Sequence, residues 1–334
     1  MGREGVILGL GLESSCDETA AAVVADGKTV LSSAVSSQID LHREYCGVVP
    51  EIASRAHLEA VNYLIDAALK QADAGFGDLD YVSVTNRPGL VGSLLITVQS
   101  AKAISYALGI PLIGVSHLEA HLYAPFLEGA DREFPFIGLL VSGGNTALYE
   151  ARGTGDMKVI GRTTDDAVGE AFDKAAKFLG LGYPGGPAIE RLAGGAEKKE
   201  AIFPKILPGP GDFRFSYSGL KTALINYVRK NPGASLPDIA WSFQERALEL
   251  LVRRTLAASR ERGIKRIVVA GGVAANGRLR EMFGRSRRGD ETVLIPSPGL
   301  CTDNAAMVAG LGYRYYVSGK SDGLDLDVRA KEFA

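Results

Sequence analysis

The sequence predicts an α/β fold built as two related lobes, and three observations carry that expectation. Short apolar runs of strand length alternate with longer segments of helical period, and many of the 41 glycines fall at strand ends. A unit of strand, small-residue turn and strand occurs twice, over 5–25 and over 136–151. At its first occurrence three strands precede any helix, which argues against a βαβ Rossmann start.

Taken in order, residues 5–12 and 19–25 read as hairpin strands, and 30–37 as a third. Between the first two lies ESSCDET, residues 13–19. Small hydroxyl residues at a tight turn can aim backbone N–H groups at a phosphate, while the plainer alternative is a polar hairpin turn. In HREYCGVVPEIASRAH, residues 42–57, Pro50 suits a helix start, and the helix runs on through Leu69. His57 and Arg55 are expected on its surface or facing a partner. Residues 81–85 form another strand, followed by the glycine-bearing loop 86–94 and an apolar, buried helix to Leu108.

IPLIGVSHLEAHL, residues 110–122, is the most informative stretch. Its apolar run makes a buried strand, and Ser116 with Glu119 three residues on forms a capping box. His117 and His121 then share one helical face and can share a ligand. Two imidazoles and a carboxylate from elsewhere hold a transition metal; the bland alternative is two histidines on a solvated face. Only 4 histidines occur, and this pair stands at the carboxyl end of a strand. Leu118 follows His117, so the glutamate of a zinc-protease H-E-x-x-H helix is absent.

A charged link at 128–133 marks the main domain boundary. Residues 136–141 and a strand through Ala151 flank SGGNT, 142–146, with a ligand expected between this turn and its counterpart at the amino end. Residues 169–179 are helical, with Asp173 and Lys177 spaced for a surface ion pair. The turn 183–187, YPGGP, offers bare backbone to a ribose or a base. Residues 203–218 read as an excursion or lid. Ser235 and Asp238 form a second capping box, opening a long helix that ends before Gly263. A strand at 266–269 enters AGGVAAN, 270–276, a strand–glycine turn–helix suited to a nucleotide. Arg278, Arg280, Arg285, Arg287 and Arg288 follow, as a solvated face or a phosphate-backbone patch. Asp303 precedes the helix 305–316 and could cap it.

At 334 residues the chain has room for two cores. A net charge of −2 gives no sign of polyanion binding by the whole chain, so any nucleic-acid site must be a local patch. The three cysteines, Cys16, Cys46 and Cys301, suit reduced thiols in a cytosol. The amino end is a poor signal peptide, and no apolar run reaches membrane-spanning length. A cytoplasmic protein with no membrane contact is expected.

Several of these pieces together resemble one family, the tRNA N6-adenosine threonylcarbamoyltransferases of the TsaD group, formerly labelled O-sialoglycoprotein endopeptidases, in its bacterial branch. They are ESSCDET, HREYCGVVPEIASRAH, the histidine pair, LLVSGGNT, GEAFDKAAKFLGLGYPGGP, FSYSGLKT, AGGVAANGRLR and CTDNAAM. They run in family order over almost the whole chain. The resemblance implies an actin-like, sugar-kinase-like fold of two lobes around a central cleft. Lobe I would be 1–128, completed by 301–334, and lobe II, 129–300, would bind nucleotide. His117, His121 and Asp303 would hold one divalent metal ion per subunit, Fe(II) or Zn(II). Leu140, Val141, Ser142, Gly143, Gly144, Asp173, Gly186 and Asn276 would hold threonylcarbamoyl-AMP, with Glu190 at a variable substrate position. Partners implied are tRNA, a paralogous non-catalytic TsaB-like subunit and a small TsaE-like P-loop ATPase. Three positions depart from the pattern: Arg87 and Cys46 replace glycines, and Asn145 a histidine.

The chemistry expected is attack by the exocyclic amine of the adenosine beside the anticodon on a mixed anhydride, with AMP leaving. A metal can polarise oxygen, and the 142–144 amides can stabilise developing charge. Asp17 and Glu18 are the candidate orienting or proton-handling groups. The rivals are an actin-like ATPase or kinase, which has no use for the histidine pair with Asp303; a metalloprotease; and a non-catalytic scaffold subunit of a modification complex.

Overall fold

The computed structural model describes residues 5–45, 47–130, 133–205, 209 and 211–332. Cys46, one of the three departures, and part of the expected lid lie outside the described residues. In chain order the strands are β1 Leu8–Glu13, β2 Glu18–Ala25, β3 Thr29–Ser37, β4 Tyr81–Arg87, β5 Leu112–Ser116, β6 Phe136–Val141, β7 Thr146–Gly153, β8 Asp156–Arg162, β9 Arg266–Ala270 and β10 Thr292–Leu294. The helices are α1 Ile39–His42, α2 Pro50–Gln71, α3 Val91–Leu108, α4 His117–Tyr123, α5 Val168–Phe178, α6 Gly185–Gly194, α7 Ser218–Lys230, α8 Leu236–Arg262, α9 Gly277–Ser286, α10 Pro298–Cys301 and α11 Ala305–Val317. The chain forms two compact units, one of Met1–Arg132 with Thr302–Ala334, the other of Glu133–Cys301.

The first unit holds a sheet in the order β3-β2-β1-β4-β5. Its first two pairings are antiparallel and its last two parallel. β1 is buried on both faces, as the centre of a covered sheet must be. Leu8, Leu10 and Leu12 form one face of it and belong to the core that α2 and α3 cover. The other face is Gly9, Gly11 and Glu13. A Cβ at Gly11 would stand 2.2 Å from the Ala305 carbonyl oxygen, so only glycine lets α11 lie this close. Tyr81 on β4 ties the same face to α11 by donating to the Ala309 carbonyl at 2.8 Å.

The second unit holds the sheet β10-β9-β6-β7-β8. Pairings from β6 towards β8 are antiparallel, and those from β6 towards β10 parallel. Its core gathers β6, α5, α6, α8 and the aromatics of the 203–218 stretch. That stretch is no loose excursion where it is described: Phe203, Phe213, Phe215 and Tyr217 are all buried. Asp165 fastens its end, accepting the backbone N–H of Tyr217 at 2.8 Å and the hydroxyl of Ser216.

Two other expectations change. The YPGGP turn is the start of a helix, since Gly185, Gly186 and Pro187 form the first turn of α6. Pro187 fits there because first-turn N–H groups lack intrahelical partners anyway. Secondly, α3 is buried along one face only: Leu94, Val98 and Ala101 are covered, whereas Val91, Leu95 and Tyr106 are exposed. Among the described residues it alone is long and apolar enough to cross a membrane, so the expectation of no such run does not hold. Its leucines, isoleucines, valines and alanines, with one lysine, raise the hydropathy of what packs here as an ordinary helix against α2 and β4.

Candidate metal centre and the glycine turns

β5 delivers the chain to Ser116, whose hydroxyl oxygen accepts the Glu119 N–H at 3.3 Å and caps α4. The same hydroxyl donates to Glu332 at 2.7 Å, so the carboxyl-terminal tail reaches the start of the histidine helix. Glu119 accepts the Tyr315 hydroxyl of α11 at 2.7 Å. All seven residues of α4 are buried, which removes the solvated-face alternative for both histidines. The two imidazoles meet edge to face with centroids 4.5 Å apart. Asp303 does not cap α11. Asn304 does, accepting the Met307 N–H at 3.0 Å. Asp303 is thereby left to face α4, with Oδ1 at 2.9 Å from His121 Nε2 and 3.7 Å from His117 Nε2.

The three ligand atoms lie within 4.8 Å of one another, all in the first unit. Burial disfavours the charges of His117 and Asp303, yet their attractions to neighbours exceed that penalty. His117 is pulled down by burial but pushed up further by Asp303 and Glu13, to about 9. Burial raises Asp303, and His117 and His121 hold it down at about 2. Such a centre is built around positive charge, and two imidazole nitrogens with one carboxylate oxygen are a donor set suited to a divalent transition metal. His121 Nδ1 is buried without a hydrogen-bond partner, so that ring is held on its polar side only through Nε2.

Asp17 and Glu18 stand in and after the β1–β2 turn, half-buried. Glu18 accepts the Ser37 hydroxyl at 3.2 Å; burial, then Asp303 and Asp17, push its carboxyl up to about 9. His57 is fully buried, contrary to the surface expectation, whereas Arg55 is exposed and pairs with Glu51. His57 Nε2–H donates to the Cys16 carbonyl at 3.0 Å, so Nδ1 is the acceptor, 2.7 Å from the Thr19 hydroxyl. Gln38 bridges it to His42. The turn carrying Asp17 is thus pinned to α2 by a neutral imidazole. Burial lowers its pKa. The signal was in the periodicity, since His57 stands at four-residue spacing between Ala53 and Val61 on the buried stripe of α2. Arg87 donates to Asn86 at 2.7 Å and faces Glu332 at 3.8 Å, so this departure engages the tail.

In the second unit, Leu140 and Val141 end β6, both buried. Ser142 and Asn145 close the turn, Ser142 N–H donating to the Asn145 carbonyl at 2.8 Å and Asn145 N–H to Ser142 Oγ at 3.1 Å. Gly143 and Gly144 project into open space. Asp173 accepts the Gly185 N–H at 2.7 Å, holding the start of α6 against α5. Glu190 accepts the Gly277 N–H at 2.8 Å, joining α6 to the start of α9. Asn276 caps α9, accepting the Leu279 N–H at 3.0 Å while donating to Gln244 at 2.9 Å. Asp173, Gly186, Glu190 and Asn276 therefore converge on the amino ends of two helices, where the Asp173 and Glu190 carboxylates take the place that the positive dipole end favours. Of the arginines beyond, Arg278 pairs with Glu245 and Glu281 and Arg285 with Glu281, while Arg287 donates to the Glu291 carbonyl. Two carboxylates, Glu245 and Glu281, offset two of the five charges, while the carbonyl bonded by Arg287 offsets none.

The fold recurs in HypF of T. kodakarensis, with a TM-score of 0.64 at 15% identity over 93% of this chain and 48% of that one. It recurs also in component A of the Acidaminococcus fermentans (R)-2-hydroxyglutaryl-CoA dehydratase, with a TM-score of 0.57 at 15% identity over 93% and 99%. It is the actin-like, sugar-kinase-type α/β fold in two lobes. In sequence, this chain is 53% identical over 326 residues to the tRNA N6-adenosine threonylcarbamoyltransferase of Syntrophotalea carbinolica, covering 96% of this chain and 95% of that protein. It is 53% identical over 324 residues to the enzyme of that name from Geobacter metallireducens, covering 95% and 94%. The model of the TsaD family, tRNA N6-adenosine threonylcarbamoyltransferase, matches residues 29–310, and the chain belongs to that family.

Proposed function

We propose that this chain transfers the threonylcarbamoyl group of threonylcarbamoyl-AMP to N6 of the adenosine next to the anticodon in tRNAs reading ANN codons, releasing AMP. The observation that carries this reading is the buried His117–His121–Asp303 constellation in a member of this family. An actin-like ATPase has no use for it.

The N6 amine attacks the carbamoyl carbon, a C–N bond forms, and the C–O bond to the AMP phosphate breaks. The residues of the second unit supply binding. The adenine and ribose lie near Asp173, Gly186 and Asn276, Asp173 and Glu190 fix the starts of α6 and α9, and the Ser142–Gly144 amides meet the developing oxyanion. Gly143, Gly144 and Gly186 leave the backbone bare for that approach. Asp17 is the candidate acceptor of the N6 proton, and Glu18, whose carboxyl stands at about 9 and so keeps its proton at neutral pH, the candidate orienting group. His117, His121 and Asp303 would hold one Fe(II) or Zn(II) per subunit, which when bound supplies Lewis-acid stabilisation of negative charge on oxygen. The amine is a weak nucleophile, so positioning supplies much of the rate. We further propose a cytoplasmic setting, with a TsaB-like paralogue and a TsaE-like ATPase as partners.

The test is AMP release from threonylcarbamoyl-AMP with and without tRNA, beside metal analysis of the parent and His117→Ala. Release that needs tRNA, and a metal lost with His117, is expected. Release indifferent to tRNA, or phosphate release from ATP in its place, overturns the reading.

A further inference from the structure

We infer that Glu13 is a positioning residue of the metal centre: its carboxylate holds the proton on His117 Nδ1, so that Nε2, on the Asp303 side, is the nitrogen left to a metal. The inference builds on the metal reading above. Glu13 is the last residue of β1 and continues the Gly9–Gly11 face along which α11 lies. It is fully buried at 0% exposure. Oε1 accepts the Ser15 N–H at 2.6 Å. Oε2 accepts the Thr85 hydroxyl at 2.6 Å and stands 3.1 Å from His117 Nδ1. The Ser15 hydroxyl oxygen is also 3.0 Å from that nitrogen.

A buried carboxylate needs donors and positive charge, and among the described residues its one charged partner is His117. With Ser15 N–H and Thr85 O–H already donating, the remaining acceptor capacity of Oε2 falls to Nδ1–H. A ring protonated at Nδ1 has Nε2 bare for coordination, which is the arrangement that orients and strengthens an imidazole ligand. His121 has no such support, since its Nδ1 lacks a partner. One ring is therefore set by the protein and the other by what Nε2 touches.

Glu13→Gln is nearly isosteric, and its failure mode follows from donor counting. The Ser15 N–H demands the amide oxygen at the first position, so the amide N–H₂ must face Nδ1. The Thr85 hydroxyl can turn and accept, but Nδ1–H cannot. The ring answers by carrying its proton on Nε2, which removes the lone pair from the site. The experiment measures Zn(II) affinity of the full chain by chelator competition and the visible spectrum of its Co(II) form. Glu13→Gln should weaken Zn(II) binding roughly 10–100-fold and weaken the Co(II) bands. Thr85→Val should lose less, and AMP binding should match the parent in both. Glu13→Asp, which keeps the charge but retracts it from Nδ1, serves if the glutamine variant does not fold. Affinity within about twofold of the parent in the folded variants overturns the inference and leaves the metal reading standing. A parent that binds Zn(II) no better than His117→Ala overturns both.

Discussion

From β3 inward the first sheet runs antiparallel, antiparallel, parallel, parallel, and from β8 inward the second runs the same way. In each, the turn between the central strand and its antiparallel neighbour stands at the carboxyl end of the parallel strands. The chemistry placed there is opposite. The first unit surrounds its turn with buried carboxylates and imidazoles, an environment for a cation. The second closes its turn with Ser142 and Asn145 around two open glycines, whose bare backbone suits the approach of an anion. Topology fixes where a site can form, and side chains decide the sign of charge it receives.

That contrast breaks most completely at the ligands. Asp303→Ala should abolish metal retention in the first unit, measured by elemental analysis, while AMP affinity of the second is kept; loss of both together would mean the division of labour is wrong. Next in size is Gly11→Ala, whose Cβ would meet the α11 backbone at 2.2 Å. Overpacking of that kind costs about 1–3 kcal/mol, so urea unfolding should show a clear loss. Gly143→Ala sharpens the comparison from the other side. Its Cβ meets nothing within 4 Å, so stability should stay within about 0.5 kcal/mol while AMP binding weakens in a titration. Unchanged AMP binding would remove this turn from the site.

The smallest effect is a pH dependence confined to the first unit. Burial holds His57 below its ordinary value of 6.5, so the unfolded chain takes up the proton first. The stability is therefore complete above pH 6.5 and is lost as pH falls from there towards the folded value. Each unit of depression is worth about 1.4 kcal/mol. Urea unfolding at pH 7.5 and 5.5 should show this slope in the parent and a shallower one in His57→Gln.

Local signals made part of this legible. The Ser116 cap, the apolar run before it and the four-residue histidine spacing lie within thirteen residues, and all three are where the sequence puts them. Ser235 and Gly263 bound α8 as capping chemistry requires. What could not be read were meetings over long separations. Glu13 lies 104 residues from His117, and Glu332 lies 216 from Ser116. A signal for Glu13 was present, as the one charge ending a strand of leucines and glycines, but only the packing of α11 shows which way it faces. β8 escaped because it is a half-exposed edge strand without clean alternation. The YPGGP helix start was hidden because prolines and glycines signal turns and helix ends alike.

The interrupted first unit also sets a timetable for the ribosome. His117 and His121 emerge early, yet the whole of Glu133–Cys301 is made before Asp303 and α11 appear. At about 5–20 residues per second that interval is roughly 10–40 s. By its end the second unit has all its strands and can fold, whereas β1 still has its glycine face uncovered and the histidines have no third ligand. Stable metal capture therefore waits until Asp303 has been made, and a nascent chain stopped after Cys301 would carry the whole second unit without the third ligand.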